Sequence, residues 1–576
     1  VELAVIGLIG LITIVAAGAF SKKLGVAAPI LLILIGIGYS FIPGAPTEVE
    51  PEIVLLGLLP PILYSAAIAV PIVDFRRNFS SIGALSFALV VVSALGTGFL
   101  LYMIFPDLSL PAAIAVGAVI SPPDVVAATA IGKRLGLPPR LVTILEGEGL
   151  INDATAFVLL RSAIAATGTA VTFWGVAGDF LFSVVVAIVV GLIVGAVTVY
   201  VRSKLDDGVL DIAISFAVPF LAYIPAEHLG ASGVLAVVVS GLYSGHVSAH
   251  RFSASTRINE RLNWRTVQFV IENGVFLLMG VQISTIVGDV GGDSVRWTLL
   301  IGLLMTATLI VIRFAFVAPL LVYLRRRGKL VERRQLRWRT WLDRIRDLPF
   351  RDARSDRRAE RAEQRYAQRS ADIEQLRGEG LGWRGGLVLG WSGMRGVVTL
   401  AAAQSLPHDF PYRSQLVLVA FTVAVVTLVV QGGTLPWVIR LSGIRGTDRV
   451  ADRHSLAELL DELTQAGVEA LDNPRLTLAD GKEIDPEALE RARRDTLIHA
   501  ESARERAENG VDERGVAESP HQQYRVLRRE VLEAEREALL AARSEGSYPS
   551  RILERAAAML DLEETRLEQI DNPSGA

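Results

Sequence analysis

Apolar residues along the first three-quarters of the chain gather into runs long enough to cross about 30 Å of hydrocarbon, with short polar loops between them. Thirteen such runs are read at 2–20, 26–43, 52–72, 80–105, 110–132, 140–164, 173–201, 209–226, 232–248, 266–286, 297–324, 384–406 and 413–440. The predicted class is therefore an all-α polytopic membrane protein. Two runs are interrupted: the fifth at Ser121, Pro122, Pro123 and Asp124, the twelfth at Gly390, Gly393 and Gly396. The first run continues into Ser21, Lys22 and Lys23 without a basic start or a small-residue cleavage site, so it is expected to be a span rather than a removed leader.

The pattern changes twice. Between Arg325 and Trp383 the chain is densely basic and is expected to be a solvated, partly helical loop. Beyond Arg445 it becomes rich in Glu, Arg, Ala and Leu at helical spacing. Asp485-Pro486 and Ser519-Pro520 read as caps followed by a first-turn proline, and Gly546 as a stop. Tyr524, Leu527, Val531, Ala534, Ala538 and Ala541 follow a 3,4 spacing too short and too Ala-rich for a long coiled coil. Two parts are predicted: residues 1–442 in the membrane and 443–576 as a helical cytoplasmic tail.

Composition agrees. The 576 residues are 51% hydrophobic, with a mean hydropathy of +0.43, too apolar for a soluble protein of this size. The net charge of -3 hides a strong asymmetry. Basic residues concentrate in alternate loops (Lys22 and Lys23; Arg76 and Arg77; Lys133, Arg134 and Arg140; Arg202 and Lys204; Arg251 to Arg265), which places those loops inside, the N-terminus outside and the tail in the cytoplasm. The chain has no Cys, which excludes disulfides and thiol catalysis. No nucleotide loop or nucleophile motif suggests an enzyme, no cofactor is called for, and nothing points to nucleic acid.

The candidate chemistry lies between Ser121 and Arg161, where Asp124, Glu148, Asn152 and Asp153 stand inside apolar spans at roughly 2.5–3.5 kcal/mol or more for each ionised group. Glu148 and Asn152 are four apart and share a helix face, whereas Asp153 points about 100° away. The prolines before Asp124 remove helical hydrogen bonds, and unwound backbone at this depth is tolerated beside a cavity, where free carbonyls can coordinate a cation. If spans one to six repeat as eight to thirteen in inverted orientation, the two breaks fall at equivalent positions. Asp124 and Arg395 would then neutralise opposed half-helix ends, more as structure than as direct ion ligands. Glu148 and Arg313 are opposite intramembrane charges that each need a partner. Glu146 is expected to line a cytoplasmic approach, and Arg161 and Glu272 to reach water by snorkelling.

EGEGLINDATA, SPPD, GWSGMRGVVTLA, the Arg of IVIRFAF and LLPPILYSAA resemble the cation:proton antiporters, in the branch of bacterial NhaP-like and eukaryotic NHE-like Na+/H+ exchangers whose core motif is Asn-Asp. The resemblance covers most of residues 1–442. It implies that Asp153 binds either a monovalent cation or a proton, with Asn152, Asp124 and the backbone of Pro123 and Gly149 completing the cation site. It implies a structural ion pair of Glu148 with Arg313, bridged by Asn152. It also implies a core (about 80–164 and 297–440) moving against a dimer scaffold (about 2–72 and 209–286), with 173–201 as the linker helix. Three departures bear on selectivity: Gly149 replaces the usual Ser, Pro123 the usual Thr, and Ser65 stands where some relatives carry Glu.

The expected function is electroneutral Na+/H+ antiport by alternating access in the plasma membrane, serving pH homeostasis. The expected partners are Na+ (or Li+ or K+), H+, membrane lipids and a second copy of the chain. K+/H+ antiport is the nearest alternative; an ion-sensing receptor and a channel are others. A channel would need a continuous polar path, whereas the ionisable residues cluster near one depth.

Overall fold

A computed structural model describes residues 2–24, 27–42, 50, 52–124, 126–168, 173–205, 207–346, 382–407 and 409–444, together with short helical stretches between 458 and 564. The chain forms two units, Val1–Gly446 and Thr447–Ala576. The first consists of helices α1 (Glu2–Leu24), α2 (Ala28–Ser40), α3 (Leu59–Ala69), α4 (Ile72–Gly83), α5 (Val90–Ile104), α6 (Leu110–Ile120), α7 (Val126–Arg134), α8 (Pro139–Gly168) and α9 (Phe173–Arg202). There follow α10 (Gly208–His228), α11 (Gly233–Arg251), α12 (Ala254–Val281), α13 (Ile283–Val290), α14 (Gly292–Arg346), α15 (Trp383–Trp391), α16 (Val397–Gln404), α17 (Arg413–Thr427) and α18 (Gly433–Ser442). The described residues contain no strand.

Among the described residues, seven helical segments are long and apolar enough to cross a membrane, and five shorter apolar helices accompany them. With the interrupted pair α15 and α16 they account for the thirteen runs. The chain is thus a multi-pass α-helical membrane protein. Residues that bond poorly inside helices start them: Ser109, Ser232 and Ser253 cap α6, α11 and α12 by accepting from the N–H groups of Ala112, Leu235 and Thr256, and Asp207 caps α10 through Val209. Three wide π-helical turns, Ile53–Leu58, Ala84–Leu89 and Leu428–Gly432, lead into α3, join α4 to α5 and join α17 to α18. Such turns re-aim side chains within a continuous helix, and two of them touch the site described below.

Burial is uneven. Only 22% of the apolar window of α9 is buried, against 72% for the segment Arg413–Ser442, so α9 lies at the periphery and α17–α18 at the centre. Glycines set the closest crossings. The pair α2 and α12 meets at Gly36 and Gly280, where an added Cβ would lie 2.4 Å from the carbonyl oxygens of Leu277 and Ile33 respectively. Small residues allow such backbone contact where lipid supplies little driving force for association.

The second unit carries cross-helix ion pairs, Arg528–Glu563 and Arg536–Glu564, both at 2.6 Å. Asp485 accepts from the N–H of Glu487 at 2.9 Å, a cap at the start of the helix over 486–494. Tyr524, Ala541, Ser519-Pro520, Gly546 and most of the basic loop lie outside the described residues.

The α2–α12 contact yields a stability test. Gly280→Val should lower stability by about 1–3 kcal/mol through overpacking, read as earlier thermal unfolding in detergent. Gly38→Val, on α2 with nothing within 4 Å of an added Cβ, should change little.

Candidate ion site

The two breaks meet and supply each other's missing hydrogen bonds. The backbone N–H of Asp124 donates to the carbonyl of Met394 at 2.6 Å. Arg395 reaches across to the C-terminal end of α6: its Nε donates to Ile120 O at 3.2 Å and its Nη2 to Ser121 O at 3.3 Å. Its Nη1 donates to Gly393 O, and its own N–H donates to Thr427 Oγ1, beside the third π turn, at 2.9 Å. The Asp124 carboxylate accepts from the N–H of Val126 at 2.9 Å, at the start of α7. It also lies against Gly396, the residue before α16, where a Cβ would overlap it. Carboxylate thus meets the positive ends of two half-helices and guanidinium the negative end of a third.

Glu148 and Arg313 form a bidentate pair, Nη1 to Oε1 at 2.6 Å and Nη2 to Oε2 at 2.9 Å, both side chains buried. Arg313 Nε also donates to Leu389 O at 2.9 Å, near the end of α15. Ser86, in the second π turn, donates to the carbonyl of Glu148 at 3.2 Å. Every donor and acceptor of consequence is therefore engaged, the condition under which a buried pair persists.

Asn152 does not bridge this pair. Its Nδ2 donates to Pro123 O at 2.6 Å and its Oδ1 accepts from the N–H of Asp153 at 2.7 Å. The amide is drawn to Pro123 because the proline-broken backbone leaves that carbonyl without a helical partner. Asn152 thereby ties α8 to the break and holds the backbone at Asp153. The Pro123 carbonyl keeps one lone pair for any further ligand.

Asp153 faces the other way, into a cavity of about 380 Å³ also lined by Asp124, Pro123, Gly149, Thr399 and Glu272. Among the described residues its carboxylate has no hydrogen-bond or ion-pair partner. At one end of the cavity Lys133 and Glu146 pair at 2.7 Å. Beyond Asp153 on the other side is a void of about 10 Å³ lined by Phe157 and Leu160. Past these residues a second cavity, about 490 Å³, contains Arg161 and Glu227 but not Asp153. Phe157 and Leu160, one and two turns along α8 from Asp153, separate the two spaces.

Two residues expected near span ends have specific surroundings. Glu272 lines the Asp153 cavity, and Gln268 Nε2 donates to it at 2.6 Å. Arg161, on α8, pairs with Glu227 of α10, which also accepts the N–H of Gly233 at 2.9 Å. Glu272 faces a cavity that reaches into the bundle, and Arg161 stays more than half exposed while it holds Glu227. Thr399 was not singled out from sequence; its hydroxyl-bearing type is common in such helices and leaves no distinctive signal. Arg202, Asp211 and Glu260 also form a buried group, Arg202 to Asp211 at 2.8 Å and to Glu260 at 2.7 Å. The sequence reading places Arg202 in a basic loop, and Asp211 and Glu260 carry no local signal of this group.

An unpaired carboxylate in a cavity beside two crossed, broken helices defines an ion-handling secondary transporter. The chain belongs to the sodium/hydrogen exchanger family, a family of cation:proton antiporters, whose transmembrane model matches residues 9–441. It is 30% identical to an uncharacterized Na+/H+ exchanger of Mycobacterium tuberculosis over 98% of this chain and 96% of that one. It is 27% identical to the Na+/H+ antiporter ApNhaP of Aphanothece halophytica over 75% and 72% of the two chains. The fold is similar to that of the sodium proton antiporter MjNhaP1 from Methanocaldococcus jannaschii, with a TM-score of 0.54 and 16% identity over 76% of this chain and 99% of that one.

Removing one partner of the buried pair should strand the other. Glu148→Gln should cost about 3–5 kcal/mol, and Glu148→Gln combined with Arg313→Gln should recover part of it. Thermal unfolding of the four proteins closes the cycle; additive losses would show no coupling.

Proposed function

We propose that the chain exchanges one Na+ for one H+ across the plasma membrane, with Asp153 binding the two in turn. The observation that carries this reading is the isolation of Asp153: it lines the cavity and has no partner among the described residues, while Glu148 beside it is held by Arg313. A lone carboxylate can be neutralised by a cation or by a proton, but not usefully by both at once, and that competition couples the two fluxes. Asn152 positions Asp153 and contributes no charge. Asp124 is committed to the half-helix ends, and Arg395 to backbone carbonyls. Only one group at the site then changes charge in a cycle, which makes the exchange electroneutral.

The cation ligands proposed are the Asp153 carboxylate, Asp124 and the carbonyls of Pro123 and Gly149, with Asn152 in support. Gly149 and Pro123 bring no side-chain oxygen of their own, which argues for modest discrimination among monovalent cations. A relative from Bacillus pumilus, 27% identical, is named a sodium, potassium, lithium and rubidium/H+ antiporter, and K+ is accordingly the alternative substrate. The basic loops orient the Lys133 end of the cavity toward the cytoplasm, so this conformation is read as inward-facing, with Phe157 and Leu160 closing the outer side. Movement of the α8-bearing core against α1–α3 and α10–α12 of a homodimeric scaffold would move Asp153 past that closure. The tail, which contains none of the proposed ligands, is assigned a regulatory role.

Asp153→Asn keeps the side-chain volume but can neither release a proton nor supply a full charge. It should reduce Na+-driven proton flux in proteoliposomes to background while the protein remains folded by size exclusion. Substantial flux in that variant would refute the assignment.

A further inference from the structure

The carboxylates buried or half-buried in the membrane unit divide by whether a cation accompanies them. Asp74 has Arg77, Glu146 has Lys133, Glu148 has Arg313, Glu227 has Arg161, and Asp211 and Glu260 share Arg202. Among the described residues, Asp124, Asp153 and Glu272 have no basic partner, and these three line one cavity. An uncompensated carboxylate in apolar surroundings must take up a proton or meet a cation. Asp124 is already engaged at the half-helix ends, and Asp153 is the proposed carrier. Glu272 has been given no task.

Its place in the fold defines one. Glu272 stands on α12, which packs on α2 and α3, whereas Asp153 stands on α8. The segment around it reads VQFVIENGVFLL, in which the acid is the sole charge and Gln268, one turn earlier, orients it by donating to Oε1 at 2.6 Å. The α3 side of the cavity is apolar, with Leu59, Ile62 and Ala66; α16 offers Val398 and Thr399. The charged groups facing Glu272 across the space are Asp124 and Asp153, and further along it the mutually paired Lys133 and Glu146. Among the described residues no basic side chain pairs with it.

We infer that Glu272 is a stationary cation-accepting residue on the wall opposite the carrier, which raises the local concentration of the entering monovalent cation and passes it to Asp153. The inference rests on Asp153 being the carrier. Because Glu272 belongs to the α2–α3–α12 side, it does not travel with the load and adds no charge to the exchange. Its attraction exists only while it is ionised, so protons compete with the cation at Glu272 as well as at Asp153. Ser65, on α3 of the same side, donates its hydroxyl to Ile62 O at 2.7 Å and carries no charge, so it cannot replace the attraction of a carboxylate.

The test uses the full chain in everted membrane vesicles from a host without antiporters of its own, with Na+ added at the cytoplasmic face and proton flux followed by a pH dye. Glu272→Gln should raise the apparent KM for Na+ about five- to tenfold at alkaline pH, the size of effect expected from one nearby charge. It should leave the maximal rate within about twofold, and its KM should converge on that of the wild type at acid pH, where both lack the charge. Glu272→Asp, which keeps the charge, should retain the wild-type pH profile. A KM unchanged at all pH values would overturn the inference, and so would an equal rise at every pH, the mark of a packing defect. A folded Glu272→Gln protein with no exchange would also overturn it, because a stationary acceptor assists transport and is not obligatory. If Glu272→Gln fails to fold, loss of the pH profile in Glu272→Asp decides against it. Absence of Na+-driven flux in the wild type would instead remove the antiport reading itself.

Discussion

The membrane unit depends on the need to satisfy backbone that cannot bond within its own helix. Interrupting two spans at one depth frees carbonyls and N–H groups where water is scarce and each costs several kcal/mol if left alone. The two interruptions answer each other: the Asp124 N–H meets Met394 O, Arg395 takes the carbonyls of Ile120 and Ser121, and Arg313 takes that of Leu389. Neither broken helix would be tolerable without the other. The crossing and the position of Glu148, Asn152 and Asp153 beside it follow from this mutual repair.

A consequence is a separation of charged groups by function. Groups that hold the architecture are neutralised by protein: Glu148 by Arg313, Asp124 by half-helix ends and the N–H of Val126, Arg395 by carbonyls. Asp153 is one residue beyond Asn152 and faces away from the Glu148–Arg313 pair, into the cavity that Asp124 also lines. A one-residue step along α8 turns the side chain about 100°, enough to place a fixed amide and a free carboxylate on two different surfaces. On the proposed mechanism, the permanence of one surface would let the other change its charge without loss of the fold.

Much of this was legible in the chain. Long apolar runs declare membrane helices because lipid permits few alternatives, and Pro122-Pro123 and the Gly390, Gly393, Gly396 series mark the breaks by local chemistry. Family resemblance at NDATA singled out Asp153. What could not be read were contacts between residues distant in sequence. Asn152 is 29 positions from Pro123, and nothing local announces that its amide goes there and not to the Glu148–Arg313 pair. Glu272 looks like a span-end charge until α3, α7, α8 and α16 are seen to enclose a cavity around it. The pairing of Arg161 is illegible for a related reason, since its partner Glu227 lies on a helix whose neighbour relation to α8 carries no sequence signal.

The central claim is that a single carboxylate changes charge in the cycle, and the membrane potential tests it most directly. Purified protein in liposomes, with the potential set by K+ and valinomycin and Na+ as the test cation, should show Na+-driven proton flux and a final pH gradient that do not depend on the imposed potential. Transfer of one net charge per cycle would couple to the field by about 2.3 kcal/mol per 100 mV. A rate or steady-state gradient that follows the potential would contradict the account and show that a second carboxylate, Asp124 or Glu148, releases its proton during transport.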